Sequence, residues 1–552
     1  MHRHRFATKM RFYLVAIVLV LMCTFYLLFF APKPKSEAYT IEEDFFKTEH
    51  QEDERSNDWT NESSAHGLSQ HTMKVVHLDF KGGAPTLPFL GKLLPKLAKA
   101  GCNALLVEYE DMFPYNGILK NVTSKTAYSE KEIREILKMA KNSRLDVIPY
   151  LQVFGNLEFL LKVKDFAHLR EFPPSPWVIA TSNQHSLTVI KTMIAQVMEV
   201  HKNAKYIHLG AGEVETCLKC RPKNQPFLTS LQRHLLDILE WMKQQYPYTT
   251  PIIWDWIFSK EGHYFGINTH AYFTRNIAKH VQPMIFSSVG RDLNSYQTSV
   301  YALPFRKVWV AGAFRGLSIS PRLTPDLKKS VDLQMSWMKS LKMKKHAQVV
   351  GYVLMGNARR DHFAVLGELL PLSLPSLFIN LVYIQTSMND ENRVLGKFKQ
   401  ILECKHVQLS YAVTKDENQL FKRFDRRITL EECIFPGSDL FNTMLQFELV
   451  KNKVDIAVKQ LKASGWFTFY HIAKNVSNTF VLIKETPRLL RLLHEVKSLK
   501  HNIQVLLWKY TDTYSANEWV EQNIYPLEII LIDVITNTDK LVRRKIWSRR
   551  PM

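Results

Sequence analysis

Eight short apolar runs, each closed by polar or glycine residues, dominate the middle of the chain. They are KVVHLDF from Lys74, NALLVEY from Asn103, LDVIPYLQ from Leu145 and AKYIHLG from Ala204, then TPIIWDW from Thr250, QPMIFSS from Gln282, KVWVAGAF from Lys307 and QVVGYVLMG from Gln348. Between them lie stretches such as SEKEIREILKMAKNSR and SLTVIKTMIAQVMEVHK, in which apolar residues recur at helical spacing. Eight strands alternating with helices predict an α/β fold, a (β/α)₈ TIM barrel, over 73–373. Continuously apolar strands fit a parallel sheet covered on both faces. Past Ser373 the strand signal fades, and long helical patterns such as GSDLFNTMLQFELVKNKVDIAVKQL predict a helical C-terminal region, 374–552. Its basic end, VRRKIWSRRPM, reads as a solvated tail.

The N-terminus supplies an address. Residues 1–11 carry Arg3, Arg5, Lys9 and Arg11, and Phe12 to Phe30 is an almost unbroken apolar run. At about 1.5 Å per helical residue that run just spans a hydrocarbon core of ~30 Å. The basic flank favours retention in the cytosol. The pattern predicts a cytosolic tail, a signal anchor over 12–30, a polar flexible stem over 31–72 and a lumenal body. That makes a single-pass type II protein of the secretory pathway, placed in the Golgi. Sequons at Asn61, Asn121 and Asn475 agree with a glycosylated lumenal body.

The formal net charge is +21, from 73 basic and 52 acidic residues. The lumenal placement argues against nucleic acid as a partner, and leaves anionic glycans as the partner a basic surface favours. A homodimer is left open. Cys23 lies in the apolar run, and Cys102 has a core-like setting. Cys404 and Cys433 are candidates to pair in an oxidising lumen. Cys217 and Cys220 form a CLKC motif, read as a local disulfide or free thiols. Half of a zinc site or a redox pair is the alternative. The second half of a zinc site is not evident, so no metal and no cofactor is called for.

In a barrel of this kind chemistry sits where the strands end. The residues that close the runs are Asp79 and Lys81; Glu108, Tyr109, Glu110 and Asp111; Gln152, Asn156 and Glu158; Glu213; Trp254 and Asp255; and Arg315, Arg359, Asp361, His362 and Glu368. Acids serve glycosidic proton transfer, and aromatic faces stack on sugar rings. Their convergence on one mouth points to carbohydrate.

Several of these stretches carry a resemblance. VVHLDFKG, NALLVEYEDMFPY, YLQVFGNLEF, FAHLRE, IHLGAGEVE, IIWDW, AFRG, the Arg359–Pro371 segment, FPGS at Phe435 and the segment from Gly465 are similar to glycoside hydrolase family 20, in its hexosaminidase D branch. The resemblance implies removal of terminal β-linked N-acetylglucosamine or N-acetylgalactosamine from glycans or glycoconjugates, with retention. Glu213 takes the position of the catalytic acid. The substrate's own acetamido oxygen is the nucleophile, an exception to the two-carboxylate scheme. Family-like identities at Asp79, Glu110, Asp111, Trp254, Asp255, Arg359, Asp361 and Glu368 imply substrate contacts, with Gln152 and Asn156 beside them. The aspartate that normally precedes the acid, and that steadies the acetamido group, is replaced by Gly212. Asn156 stands for a histidine, and Asn357 and Phe286 stand for pocket tryptophans. Losing a positioned electrostatic partner costs about 10²–10³-fold in rate. The expectation is therefore reduced turnover, with a membrane-anchored pseudoenzyme that binds glycan or protein as the alternative.

Overall fold

The computed structural model describes residues 68, 71–212, 225–258, 274–286, 305–316, 322–342, 348–386, 391–414, 423–547 and 549. The apolar run 12–30, the sequon at Asn61, and Glu213, Cys217 and Cys220 lie outside the described residues. Among the described residues no helix is long and apolar enough to cross a membrane.

All eight apolar runs form strands of one closed parallel barrel: β1 Met73–Asp79, β2 Ala104–Glu108, β3 Asp146–Tyr150, β4 Tyr206–His208, β5 Thr250–Trp254, β6 Gln282–Phe286, β7 Lys307–Arg315 and β8 Gln348–Gly356. Each strand pairs with its neighbours in sequence, and β8 closes on β1 with Val76 opposite Leu354. β2 is buried at every position, as a strand packed on both faces must be.

The outer helices follow from the sequence in the ordinary way. Helix α1 (Leu87–Lys99) buries Phe89, Leu90, Leu93, Leu94 and Leu97. Helix α2 (Glu130–Asn142) starts with a capping box: Ser129 Oγ accepts from the Glu132 amide, and the Ser129 amide donates to Glu132 Oε2 at 2.7 Å. Ile133, Ile136 and Ala140 form its buried stripe. Helices α3 (Gln184–Val200), α4 (Gln225–Gln245) and α5 (Leu327–Lys342) continue the layer.

Helix α6 (Leu370–Gln385) differs. It is buried from Leu370 to Ile384, because β7 and β8 lie on one side and C-terminal helices on the other. Its polar Asn380 uses its donor side, giving hydrogen bonds to Ser330 Oγ at 3.0 Å and to the Ser376 carbonyl at 2.7 Å, while its Oδ1 has no partner among the described residues. This helix runs through residue 373, where the sequence signal suggested the barrel would end.

The C-terminal region is not helical throughout. After α7 (Glu391–Leu402), strands Cys404–Thr414 and Arg423–Cys433 form an antiparallel hairpin closed at its base by a Cys404–Cys433 disulfide. The segment HVQLSYAV alternates with period two, a strand signal that the surrounding helical patterns obscured. Helices α8 (Ser438–Ala463), α9 (Thr479–Leu507), α10 (Thr513–Asn523) and α11 (Tyr525–Arg543) follow. The pattern NEWVEQNIYPLEII breaks into α10 and α11 at Ile524, with Pro526 in the first turn of α11, where proline is tolerated.

Candidate active site

The strand register sets the mouth. Asp79 lies opposite Glu108, Glu108 opposite Tyr150, Tyr150 opposite His208 and His208 opposite Ile252. Tyr150 packs on His208 at 4.4 Å between ring centroids, and His208 on Trp254 at 4.7 Å. A polar and aromatic layer thus closes the top of an otherwise apolar barrel.

Lys81 is the hub of the β1–β2 side. Its Nζ is 3.0 Å from Glu108, 3.2 Å from Asp79 and 3.7 Å from Glu110. Burial alone would push this lysine's pKa down, but Asp79, Glu108 and Glu110 together hold it well above the ordinary value. Glu108 also accepts from Gln152 Nε2 at 3.0 Å and faces His77 Nε2 at 3.3 Å. Burial opposes its ionisation, yet Lys81 and His77 keep it ionised, below the usual carboxylate range. Asp79 clamps two loops: it accepts from the Lys81 amide at 2.9 Å and from the Ala358 amide, beyond β8, at 2.8 Å.

Glu110 behaves oppositely. Burial, with Glu108, Asp79 and Asp111 nearby, pushes its pKa well up despite Lys81. His362 Nε2 lies 2.5 Å from Glu110 Oε2, and His362 Nδ1 lies 3.1 Å from Lys162 Nζ. A lysine ammonium offers only donors, so Nδ1 accepts and Nε2 carries the proton given to Glu110. Burial pushes His362 down to about 4, so the ring is neutral at pH 7. Asp111 stands 3.5 Å from Lys162. Glu158 joins the group from the β3 loop. Burial, then the neighbouring Glu110 carboxyl, raises its pKa to about 8, so at neutral pH it is a carboxylic acid and a donor.

The residues after β8 are mostly occupied in holding the loop. Asp361 Oδ1 accepts from the Phe363 and Ala364 amides. Glu368 accepts from the Gly316 amide at 2.7 Å, and its own carbonyl accepts from Arg315. Arg359 is buried and donates to both carboxylate oxygens of Glu518 on α10. Gly82 is required here: its φ is +67°, and a β-carbon would fall within the Arg359 guanidinium. Trp519 Nε1 donates to the Gly367 carbonyl at 2.9 Å, Gln522 accepts from the Leu366 amide at 2.7 Å, and Asn523 donates to the Leu366 carbonyl. Helix α10 is thus the brace of the last barrel loop.

On the β3–β5 side the mouth is less crowded. Trp254 Nε1 donates to the Tyr150 hydroxyl at 2.9 Å, and Phe286 packs edge-on to Trp254 at 5.9 Å. Asp255 opens a short 3₁₀ turn, Asp255–Phe258. The turn after β4 takes the left-handed region at Gly210 and Ala211, and Trp256 Nε1 donates to the Ala211 carbonyl. Gly212 follows, with Trp254 on one side and Asn156 on the other. Asn357, beyond β8, is exposed.

The structure therefore brings Asp79, Glu110, Asp111 and Gln152 into one polar cluster. Asn156 and Trp254 flank Gly212. Arg359, Asp361 and Glu368 serve that cluster through the loop they fix. Sequence reasoning gave Lys81, Glu108, Glu158 and His362 no more than a place at the mouth, and missed Glu518, Lys162 and the α10 brace altogether. Those contacts join segments far apart in the chain, and no local pattern announces them.

The glycosyl hydrolase family 20 catalytic-domain model matches residues 67–262. The chain is 28% identical to the human protein named Hexosaminidase D over 474 residues, covering 83% of this chain and 93% of that one. It is 35% identical to the Bos taurus protein of the same name over 324 residues, covering 56% of this chain and 91% of that one. Among solved structures, the family 20 β-N-acetylhexosaminidase from Streptomyces coelicolor A3(2) matches with a TM-score of 0.42 and 11% identity, over 60% of this chain and 70% of that one. With a relative at 35% identity aligned over nine-tenths of its length, and with the family motifs gathered on one barrel, the chain belongs to glycosyl hydrolase family 20 as a hexosaminidase D-like member.

Proposed function

We propose that this protein recognises terminal β-linked N-acetylglucosamine or N-acetylgalactosamine at the barrel mouth and hydrolyses it, slowly, with retention. The observation that carries this reading is the arrangement around Gly212. An indole, Trp254, flanks a position with no side chain, and on the β3 loop that also carries Asn156 a buried Glu158 is held as a neutral acid. In this reading Glu213 protonates the leaving oxygen and the substrate's acetamido oxygen attacks the anomeric carbon. No carboxylate at 212 steadies the cationic intermediate, which supports a turnover about 10²–10³-fold below that of a site with the full pair.

The test is hydrolysis of fluorogenic β-N-acetylglucosaminide and β-N-acetylgalactosaminide by the full-length protein beside its Glu213→Gln variant. Slow turnover that vanishes in the variant supports the reading. Equal, zero turnover in both defeats the hydrolase and favours a second reading. That reading is a glycan- or protein-binding module, supported by Gly212, Asn156, Asn357 and Phe286 where the family pattern has reactive or stacking residues.

We also propose that the body is lumenal and anchored by residues 12–30. Asn121 supports this. It sits in a surface 3₁₀ turn, and its amide donates to Asp165 at 2.7 Å, a contact a glycan would replace at little cost. Protease protection in sealed vesicles, and a mobility shift on enzymatic removal of N-glycans, test it. A protease-sensitive, unshifted body would sink it.

A further inference from the structure

Gly212 and Asn156 are separate departures in the sequence, but they meet in space. A β-carbon built on Gly212 would lie 2.8 Å from Asn156 Nδ2 and 3.6 Å from Trp254 Cδ1. The space into which a residue at 212 would project is therefore taken by the amide of Asn156. This placement is held in the backbone. Asn156 has φ +56°, a conformation that asparagine tolerates better than most residues. Its side chain is exposed at the mouth and has no hydrogen-bond partner among the described residues. Three nearby donors are committed: Trp254 Nε1 to Tyr150, Gln152 Nε2 to Glu108 and Tyr150, and Trp256 Nε1 to Ala211; Gln152 Oε1 and His208 Nε2, deeper in the same layer, are buried without a partner among the described residues. An uncommitted amide, aimed over a residue without a side chain and beside an indole edge, is a group waiting for a ligand.

We propose that Asn156 is the residue that reads the sugar's 2-acetamido group, standing in from the β3 loop for the side chain that position 212 lacks. The inference rests on the hexosaminide reading above. An asparagine amide carries both a donor and an acceptor, so it is complementary to an acetamide, which carries the same pair. The exchange keeps recognition and gives up charge. A neutral amide orients the acetamido group but steadies a developing positive charge less well than a carboxylate. Asn156 is thus a positioning and specificity residue, and Gly212 is small because Asn156 needs the room.

The test compares the full-length protein with Asn156→Gly, Asn156→Asp, Gly212→Asp and the double variant Asn156→Gly/Gly212→Asp. Glycine and aspartate both accept the left-handed backbone at 156. Two readouts are taken: affinity for free N-acetylglucosamine against glucose, and hydrolysis of the β-N-acetylglucosaminide against the β-glucoside of the same leaving group. Asn156→Gly should reduce the preference for the acetamido sugar by about 3–10-fold, the worth of a neutral hydrogen bond. Affinity for glucose and the thermal midpoint should not move. Asn156→Asp should raise hydrolysis of the acetamido substrate by about tenfold or more, by returning a charge to that space. Gly212→Asp alone should gain less than the double variant, because Asn156 must first turn away.

An acetamido preference in the wild type that survives Asn156→Gly within twofold would overturn the inference and leave the hexosaminide reading standing. A wild-type protein with no acetamido preference would overturn both. A purely structural Asn156 would move the thermal midpoint and both sugars together, not their ratio.

Discussion

Arg359, after the last barrel strand, and Glu518, on the C-terminal helix α10, are 159 residues apart in sequence, yet one guanidinium nitrogen lies 2.9 Å from both carboxylate oxygens. The pair fastens the C-terminal region to the loop that carries Asp361 and His362. Arg359 is buried, and its Nε has no hydrogen-bond partner among the described residues. Removing Glu518 would leave a charge in the interior without its counterion.

Glu518→Ala should therefore cost about 1–3 kcal/mol, below the ~3–5 kcal/mol for breaking a fully buried pair because Glu518 is itself partly exposed. Urea unfolding measures it. The same variant should weaken N-acetylglucosamine binding through the loosened loop, although Glu518 lies on α10 and not on a strand-end loop. A change under about 0.3 kcal/mol with unaltered binding would show that the brace is carried by Trp519, Gln522 and Asn523 instead.

Lys81→Met should be among the most damaging single changes in the barrel. It leaves Asp79, Glu108 and Glu110, all buried, without the cation within 3.7 Å of each. A loss of about 3–5 kcal/mol is expected from removal of one partner of a buried ionic group. Adding Glu108→Gln should recover part of it. Denaturant titration of the single and double variants decides the matter, since independent effects would add rather than compensate.

The mouth should titrate on two sides. Glu158 is raised to about 8 from an ordinary 4.5 by burial, so its contribution to stability is full below 4.5 and lost as pH rises towards 8. His362 is lowered to about 4 from 6.5, so its contribution is full above 6.5 and lost as pH falls towards 4. Substrate binding that uses the Glu158 proton should fall above about pH 8. Glu158→Gln, which keeps a donor, should remove that alkaline limb in a pH titration of N-acetylglucosamine binding. An unchanged limb would exclude Glu158 as its source.

The Cys404–Cys433 disulfide closes a loop of sequence separation 29. Chain entropy gives such a link a value of up to about 3–4 kcal/mol. The hairpin packs against α7 and α5, on the outer layer. Cys404→Ser/Cys433→Ser should therefore lower the unfolding midpoint while leaving sugar affinity within about twofold. A large loss of affinity at full folding would tie the hairpin to the mouth.

The barrel was legible because its signal is local. Each strand is an apolar run bounded by glycine or polar residues, and KVVHLDF, NALLVEY and LDVIPYLQ form adjacent strands for that reason alone. The same locality places Asp79, Glu110 and Trp254 at strand ends before any coordinates exist. The hairpin at Cys404–Cys433 was harder to see, because strand pairing there is a property of two segments and each lies among helical patterns.

Sequence by itself determined the barrel and the family, since these depend on periodicity and on residue identity. Tertiary structure alone decided what each residue does. Whether a carboxyl is ionised depends on neighbours contributed by other loops: Lys81 holds Glu108 charged, while burial keeps Glu158 neutral. That Asn156 fills the space left by Gly212 depends on the loops after two neighbouring strands meeting at the mouth, and the 55 residues between them in the chain carry no trace of it. Through-space electrostatics and packing act between segments that the order of residues keeps apart.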